Sequence, residues 1–320
     1  MRPIGGFLPL ELALAGELYH TGAVALTSGR ACWHAILRGC RPSRVLVPFY
    51  VCDAVLQPLY ATGTPFVFYS ITDEFEPDLA NSPAPGELLL VVNYFGLLTP
   101  TVDAYAESHP GRVAVDDTQA FFRRRNPCGG WSFNSARKFF GVPDGGFLYG
   151  PLPDLGDLPP SLSADCDHLL ARLAGEDGRA LDQFREHESR IGIELRAMSV
   201  VSQRLLAAAD TSRARCRRRS NFAVLHRRLG SINTIALPLD PGDEAPMCYP
   251  FLPATDVDRA ALSMAGVFVP VLWPEIEFRG GPDFQRERLI ARRLLPLPID
   301  QRYGPDDMNE VCEALLQVLR

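Results

Sequence analysis

The sequence predicts an α/β protein in two parts: a large domain over residues 1–229 built on a mainly parallel sheet, and a small α+β domain over residues 230–320. Three observations predict it. Short apolar runs alternate with helix-like segments from residue 20 to 150. Those runs are apolar on both faces, as strands are when helices cover each side of a parallel sheet. After Gly230 the alternation gives way to short strands and helices mixed closely together.

In chain order, the apolar run 23–26 leads into a helical pattern at 31–37, and RVLVP at 44–48 reads as a strand. A helical pattern follows at 52–61, then strands PFVFY at 65–69 and ELLLVV at 87–92, a helix at 102–108 and the strand RVAV at 112–115. Spacing of apolar residues at three and four positions marks the helices, and their continuous runs mark the strands. Gly145-Gly146 precede a further apolar strand, and a proline-rich stretch from Gly150 to Pro160 closes the block. Two Arg-rich helical patterns come next, at 164–174 and 178–229. The last part reads as apolar runs at 234–239 and 247–253, a helix at 256–265, a strand at 267–272 and a final helix at 305–319. In parallel sheets ligands gather at the carboxyl ends of the strands. The loops there are where chemistry is to be sought.

Composition narrows the classes. At 320 residues and 35.3 kDa, with 47% hydrophobic and 22% charged residues, the chain is an ordinary globular protein. A net charge of −6 argues against a nucleic-acid partner, so the runs Arg123-Arg124-Arg125 and Arg217-Arg218-Arg219 read as solvated faces. Eight cysteines, none spaced Cys-x-x-Cys, imply neither a metal site nor a disulfide framework, and fit reduced thiols in a cytoplasm. The apolar stretch from Phe7 to Gly16 is interrupted by Glu11, and the run 88–98 contains Asn93 and is too short for a bilayer. A soluble protein without a membrane partner is expected.

Lys138 is the only lysine, so 31 of the 32 basic residues are arginine. A guanidinium stays charged, whereas an amine can lose its proton and form a Schiff base with a carbonyl. Two other loops join it. Thr27-Ser28-Gly29-Arg30 opens a helix, where first-turn amides and the helix dipole suit a phosphate; Ser28 also reads as an ordinary N-cap. Asp116-Asp117-Thr118-Gln119-Ala120 follows the strand at 112–115. A magnesium-binding acidic pair there would need a P-loop, which is absent because Phe139 follows the lysine, and no Gly-x-Gly-x-x-Gly is present. An amine, a carboxylate at a strand end and a phosphate cradle are the three requirements of pyridoxal 5′-phosphate (PLP).

In the order of these motifs the chain resembles the DegT/StrS-type aminotransferases, PLP enzymes of fold type I. Ser28-Gly29-Arg30-Ala31 is similar to the family's phosphate turn, and Asp116-Asp117-Thr118-Gln119-Ala120 to its Asp-x-x-Gln-Ala element. Ser132-Phe133 through Lys138 to Gly145-Gly146 resembles its lysine segment, and Leu295-Pro296-Leu297-Pro298 with Gly304-Pro305-Asp306-Asp307 its C-terminal signature. The resemblance implies that Lys138 is the Schiff-base residue and proton carrier, that Asp116 holds the ring nitrogen, and that Gln119 lies near the phenolic oxygen. Ser132 or Ser135 joins Ser28, Gly29 and Arg30 at the phosphate. Where family members carry a ring-stacking aromatic residue this chain has Cys52, with Tyr50 or Phe49 as substitutes. Glu194 replaces the asparagine of Gly-x-Asn-x-Arg, in Gly192-Ile193-Glu194-Leu195-Arg196. Arg137 is placed to lower the lysine pKa, to bind a substrate anion, or to face solvent. The implied activity is transfer of an amino group from an amino acid, glutamate by family habit, to a keto acceptor such as a keto-sugar nucleotide, in a homodimer. A subgroup with histidine in place of the lysine carries out dehydration; lysine here favours transamination. The competing reading is a PLP-binding member with a regulatory or scaffold role, whose discriminator is loss of the lysine or aspartate. Both are present.

Overall fold

The computed structural model describes residues 16–126, 130–151, 155–161, 165–281 and 283–319. The N-terminal stretch 7–15, Cys128 and residue 164 of the expected helix thus lie outside the described residues.

Alternation from residue 20 onward gives β1 (Val24–Leu26), α1 (Gly29–Cys40), β2 (Arg44–Pro48), α2 (Asp53–Thr62), β3 (Phe66–Ile71) and β4 (Pro77–Asp78). It continues through β5 (Glu87–Val92), α3 (Thr99–Ser108), β6 (Val113–Asp116), β7 (Trp131–Phe133) and β8 (Gly146–Tyr149). These strands form one eight-stranded sheet in the order β1-β8-β7-β6-β5-β2-β3-β4. β3, β2, β5, β6 and β7 run parallel, whereas β8, β1 and β4 are antiparallel to their neighbours. β5 and β6 are buried almost throughout, which is why their sequences read as unbroken apolar runs. α1 turns Ala31, Cys32, Ala35 and Ile36 inward and packs on β7 and β8.

After the sheet come α4 (Asp167–Leu173), α5 (Asp177–Arg190), α6 (Val200–Ala208) and α7 (Thr211–Leu229). The pattern expected as one helical stretch over 178–229 is therefore three helices. Between α5 and α6 the chain passes Gly192 and lies along β1: Thr27 N donates to Arg196 O at 3.2 Å and Met198 N to Ala25 O at 3.0 Å. Arginines on both sides of this break hid it, because a charged residue is as acceptable in a solvated extended strand as on a helix.

The remainder holds β9 (Tyr249–Phe251), α8 (Arg259–Met264), α9 (Gln285–Arg293), β10 (Leu295–Leu297) and α10 (Pro305–Val318). β9 and β10 form a two-stranded antiparallel sheet. The expected strand at 267–272 does not form, and the run at 234–239 contributes only Thr234, whose amide donates to Leu252 O at 2.9 Å. Pro238 and Pro270 interrupt these runs and remove a ladder donor from each. α9 had no sequence-level signal because its arginines obscure the buried Ile290 and Ala291.

A second apolar cluster, centred on Phe121, Phe122, Phe139 and Phe147, underlies the lysine loop. His20 is buried against it, with Nδ1 2.7 Å from the Tyr149 hydroxyl and Nε2 3.1 Å from Asn134 Nδ2. Burial, partly offset by Phe121 and reinforced by the charge of Arg124, pulls its pKa down to about 3. The unfolded chain protonates this histidine near its ordinary value and the folded chain does not, so its contribution is complete above pH 6.5 and is lost as pH falls toward 3. Between pH 6.5 and 5.5 His20 should remove roughly 1 kcal/mol of stability. Urea unfolding of the native chain and of His20→Asn across that interval measures it. The variant should show the shallower decline, and equal declines would contradict the assignment.

Candidate active site

The three loops singled out by sequence meet because β8 passes hard against the turn that opens α1. A Cβ on Gly146 would lie 2.6 Å from the Ser28 carbonyl carbon and 2.8 Å from Gly29 N. No side chain fits there. Gly145 takes a φ of +135° and donates its amide to Thr27 O at 2.7 Å, tying the lysine loop to the same turn. On the other side, a Cβ on Gly29 would come within 3.2 Å of Thr118 Cγ2. The β6 loop is thus also in contact with the first turn of α1.

Thr118 joins the amine to the carboxylate. Lys138, at the end of the 3₁₀ turn Ala136–Lys138, donates from Nζ to Thr118 Oγ1 at 2.9 Å, and Thr118 N donates to Asp116 Oδ1 at 2.8 Å. Burial raises the Asp116 pKa, against the opposing charge of Lys138 and the hydrogen bonds from Thr118. Lys138 itself remains exposed to solvent. Sequence reasoning assigned Thr118 no role; only the fold brings its hydroxyl to the amine.

The neighbouring carboxylate has a different job. Asp117 accepts from Arg125 Nε at 2.6 Å and Nη2 at 3.0 Å, and from Asn93 Nδ2 at 3.0 Å. Arg125 is further paired with Asp103. Asp117 is therefore consumed by a buried ion pair, while Asp116 feels the charge of the lysine across Thr118. Gln119 is buried and its Oε1 accepts from Phe95 N at 2.9 Å, which leaves the amide nitrogen to donate elsewhere.

Around the α1 turn, Ser28 Oγ accepts from Ala31 N at 3.0 Å, the N-cap bond expected of it, and reaches Gly192 O at 3.4 Å. The first-turn amides of Gly29 and Arg30 have no intrahelical acceptor. Ser132 Oγ is buried without a partner among the described residues, and Ser135 precedes the lysine turn at 9% exposure. Arg30 turns toward α5, bonding Ile191 O and lying 3.9 Å from Glu188. Arg137 pairs with the same glutamate, and burial, with the charge of Arg30 adding to it and Asp144 opposing, lowers its pKa to about 10. The solvent-facing alternative for Arg137 does not hold: its side chain is 13% exposed.

The expectation for Tyr50 requires correction, and that for Phe49 with it. Both side chains are fully buried. The Tyr50 hydroxyl donates to Leu272 O at 2.6 Å, and Phe49 stacks on Phe284 with centroids 3.9 Å apart. Neither ring presents an open face to a ligand, because the segment Pro274–Glu277 and Arg279 close over the β2–α2 turn, where Glu275 Oε1 accepts from Asp53 N at 2.9 Å. Cys52 is the half-buried residue at that turn, within the electrostatic reach of both Lys138 and Asp116; burial raises its thiol pKa. Glu194 is exposed, and Arg196 bonds Pro160 O at 3.3 Å within the same chain.

No family model matches the chain, and no curated protein matches it. Solved structures do. A sugar aminotransferase, CalS13 from Micromonospora echinospora, is 16% identical with a TM-score of 0.63, covering 94% of this chain and 88% of its own. A DegT DnrJ EryC1 StrS aminotransferase from Brucella abortus is 15% identical at TM-score 0.63, covering 92% and 85%. NtdA from Bacillus subtilis, with bound cofactor PMP, is 15% identical at TM-score 0.65, covering 93% and 73%. The chain therefore has the fold type I architecture that its motif order implied.

The contrast between the two aspartates is measurable as stability. Asp117→Asn strips a buried arginine of its bidentate partner and should cost about 3 kcal/mol in urea unfolding. Asp116→Asn removes a carboxylate that burial already disfavours, so its stability should be unchanged or higher. Equal losses at both positions would contradict this division.

Proposed function

We propose that the protein is a PLP-dependent aminotransferase that moves an amino group from an amino acid, glutamate first among donors, to a keto-sugar nucleotide. The observation that carries this reading is the Lys138–Thr118–Asp116 chain, set against the first turn of α1. The residues present fit the cofactor. Gly29 and Gly146 keep the turn clear of side chains, first-turn amides are available to a phosphate, and Ser135 or the unpartnered Ser132 adds a hydroxyl donor. Asp116 is a buried carboxylate without an arginine partner among the described residues, as a pyridinium proton requires. The neighbours reported as sugar aminotransferases, and NtdA with its bound PMP, support the same reading.

When bound, PLP supplies an aldehyde for the amine and a ring that withdraws electrons from the substrate carbon. The protein's own part is proton handling and positioning. Lys138 Nζ, released from Thr118, would take the proton from the substrate carbon and return it to the carbon supplied by the cofactor's aldehyde, two bonds away across the nitrogen, acting as base and then acid. Asp116 holds the proton on the ring nitrogen, and its burial strengthens that interaction by excluding water. The Gln119 amide N–H would donate to the phenolic oxygen. Cys52 would cover the ring face in place of an aromatic residue. Arg30 and Arg137 together bring two positive charges to one carboxylate, Glu188, and the uncompensated charge suits an anionic substrate group.

We further infer a cytoplasmic homodimer whose sites form between subunits, divided into domains at residues 229 and 230. Exposed Leu170, Leu173, Leu181 and Phe184 on α4 and α5 support a covered face there. A regulatory or scaffold role is the less economical reading, since lysine and aspartate are both retained.

The test is transamination by PLP-loaded protein with glutamate and a panel of keto acceptors. Lys138→Arg keeps the charge and should abolish turnover, and Asp116→Asn should lower kcat by roughly 100-fold or more while PLP still binds. Undiminished turnover in Lys138→Arg would overturn the proposal.

A further inference from the structure

Beyond this site lies a cluster that the reaction does not use. Asp165, His168 and His187 each offer one ligand atom, and these atoms lie within 4.8 Å of one another. His168 is 6% exposed and His187 is 9% exposed. The two imidazoles stack with centroids 4.6 Å apart, and His168 Nδ1 is buried without a hydrogen-bond partner among the described residues. A ligand that takes the lone pair of such an atom removes the cost of leaving it unpaired.

The second histidine is arranged in a manner typical of metal ligands. His187 Nε2 is 2.6 Å from Pro143 O, a contact that requires the proton on Nε2 and leaves the Nδ1 lone pair available. Nδ1 lies 3.9 Å from Asp165 Oδ2, too far for a strong hydrogen bond and wide enough for an ion between them. From these observations we propose that Asp165, His168 and His187 form a binding site for a divalent first-row transition ion of the zinc type, with its open position filled by water.

Ligand chemistry favours this class. Two imidazoles and one carboxylate suit zinc and its neighbours, whereas calcium and magnesium require oxygen ligands. Two cations oppose the site. Arg190 Nη2 lies 2.9 Å from Asp165 Oδ2, but Arg190 is 57% exposed and can turn outward when an ion takes the carboxylate. Arg137 acts on both rings at longer range, and the Asp165 carboxylate opposes it at both. The Cys-x-x-Cys criterion that spoke against a metal could not reveal this site, whose histidines are 19 positions apart on α4 and α5.

The ion would clamp α4 to α5, whose His187 reaches the lysine loop. His187 bonds Pro143, and the next residue, Asp144, accepts from Ser199 N at 3.0 Å and Ser199 Oγ at 2.7 Å. The role is structural, and the site stands whether or not the PLP reading holds.

The test uses tag-free, metal-stripped full-length chain titrated with ZnCl2 by calorimetry and with Co2+ by visible absorption. One ion should bind per chain. His168→Asn and His187→Asn should each weaken binding at least about tenfold, while His226→Asn leaves it unchanged. Zinc should raise the thermal midpoint of the native chain and not that of the double variant. Circular dichroism in chelator establishes that the variants fold; should His187→Asn unfold, His168→Asn carries the comparison, since its Nδ1 has no hydrogen-bond partner among the described residues. No saturable one-to-one binding, or binding equally tight in the folded histidine variants, would overturn the proposal.

Discussion

Everything at the candidate site depends on one close approach, that of β8 to the turn between β1 and α1. Gly146 lies so near Ser28 and Gly29 that a single methyl group would collide with backbone atoms. Backbone cannot rotate out of the way as a flexible side chain can, so this contact fixes the distance between the helix opening and the lysine loop. β8 is antiparallel to β7, and the loop between them carries Lys138. Fixing β8 at one end therefore fixes the amine. The aromatic cluster of Phe121, Phe139 and Phe147 fills the space beneath, so the loop rests on packed rings.

Within that frame the two adjacent aspartates are separated by their partners. Asp117 has a bidentate arginine and an asparagine amide, and its charge is spent on holding the β6 loop. Asp116 has a threonine amide and a lysine at the far end of the same threonine. Burial without a direct cation raises its pKa, which makes it sensitive to any positive group placed beside it. A structural carboxylate is stabilised by neighbours already in the chain; a functional one is left for a neighbour that arrives.

Much of the fold could be read in the sequence where burial is two-sided. The strands at 44–48 and 87–92 match β2 and β5 at both ends, because a continuous apolar run bounded by turns leaves little choice of register. The same reasoning failed where arginine dominates. The helical stretch 178–229 is broken by an extended segment at Gly192, and α9 escaped notice, since arginine tolerates helix and extended strand alike. At the site, the lone lysine, the strand-end aspartate and the glycine pair each stood out in the sequence, and the fold brings their loops together. Tyr50 was not legible, because its burial is imposed by residues some 220 positions away: Leu272 accepts its hydroxyl and Trp273 lies against its ring. The Asp165–His168–His187 cluster was hidden for the same reason, since packing of two helices brings it together.

The account's central claim is that Lys138 is the residue that bonds to the cofactor. Because the chain contains no other lysine, the claim can be tested by mass alone. Protein loaded with PLP, treated with borohydride and digested, should yield one pyridoxyl-labelled peptide, carrying the label on Lys138. A label confined to the N-terminal amine, or no label on a folded chain saturated with PLP, would contradict it.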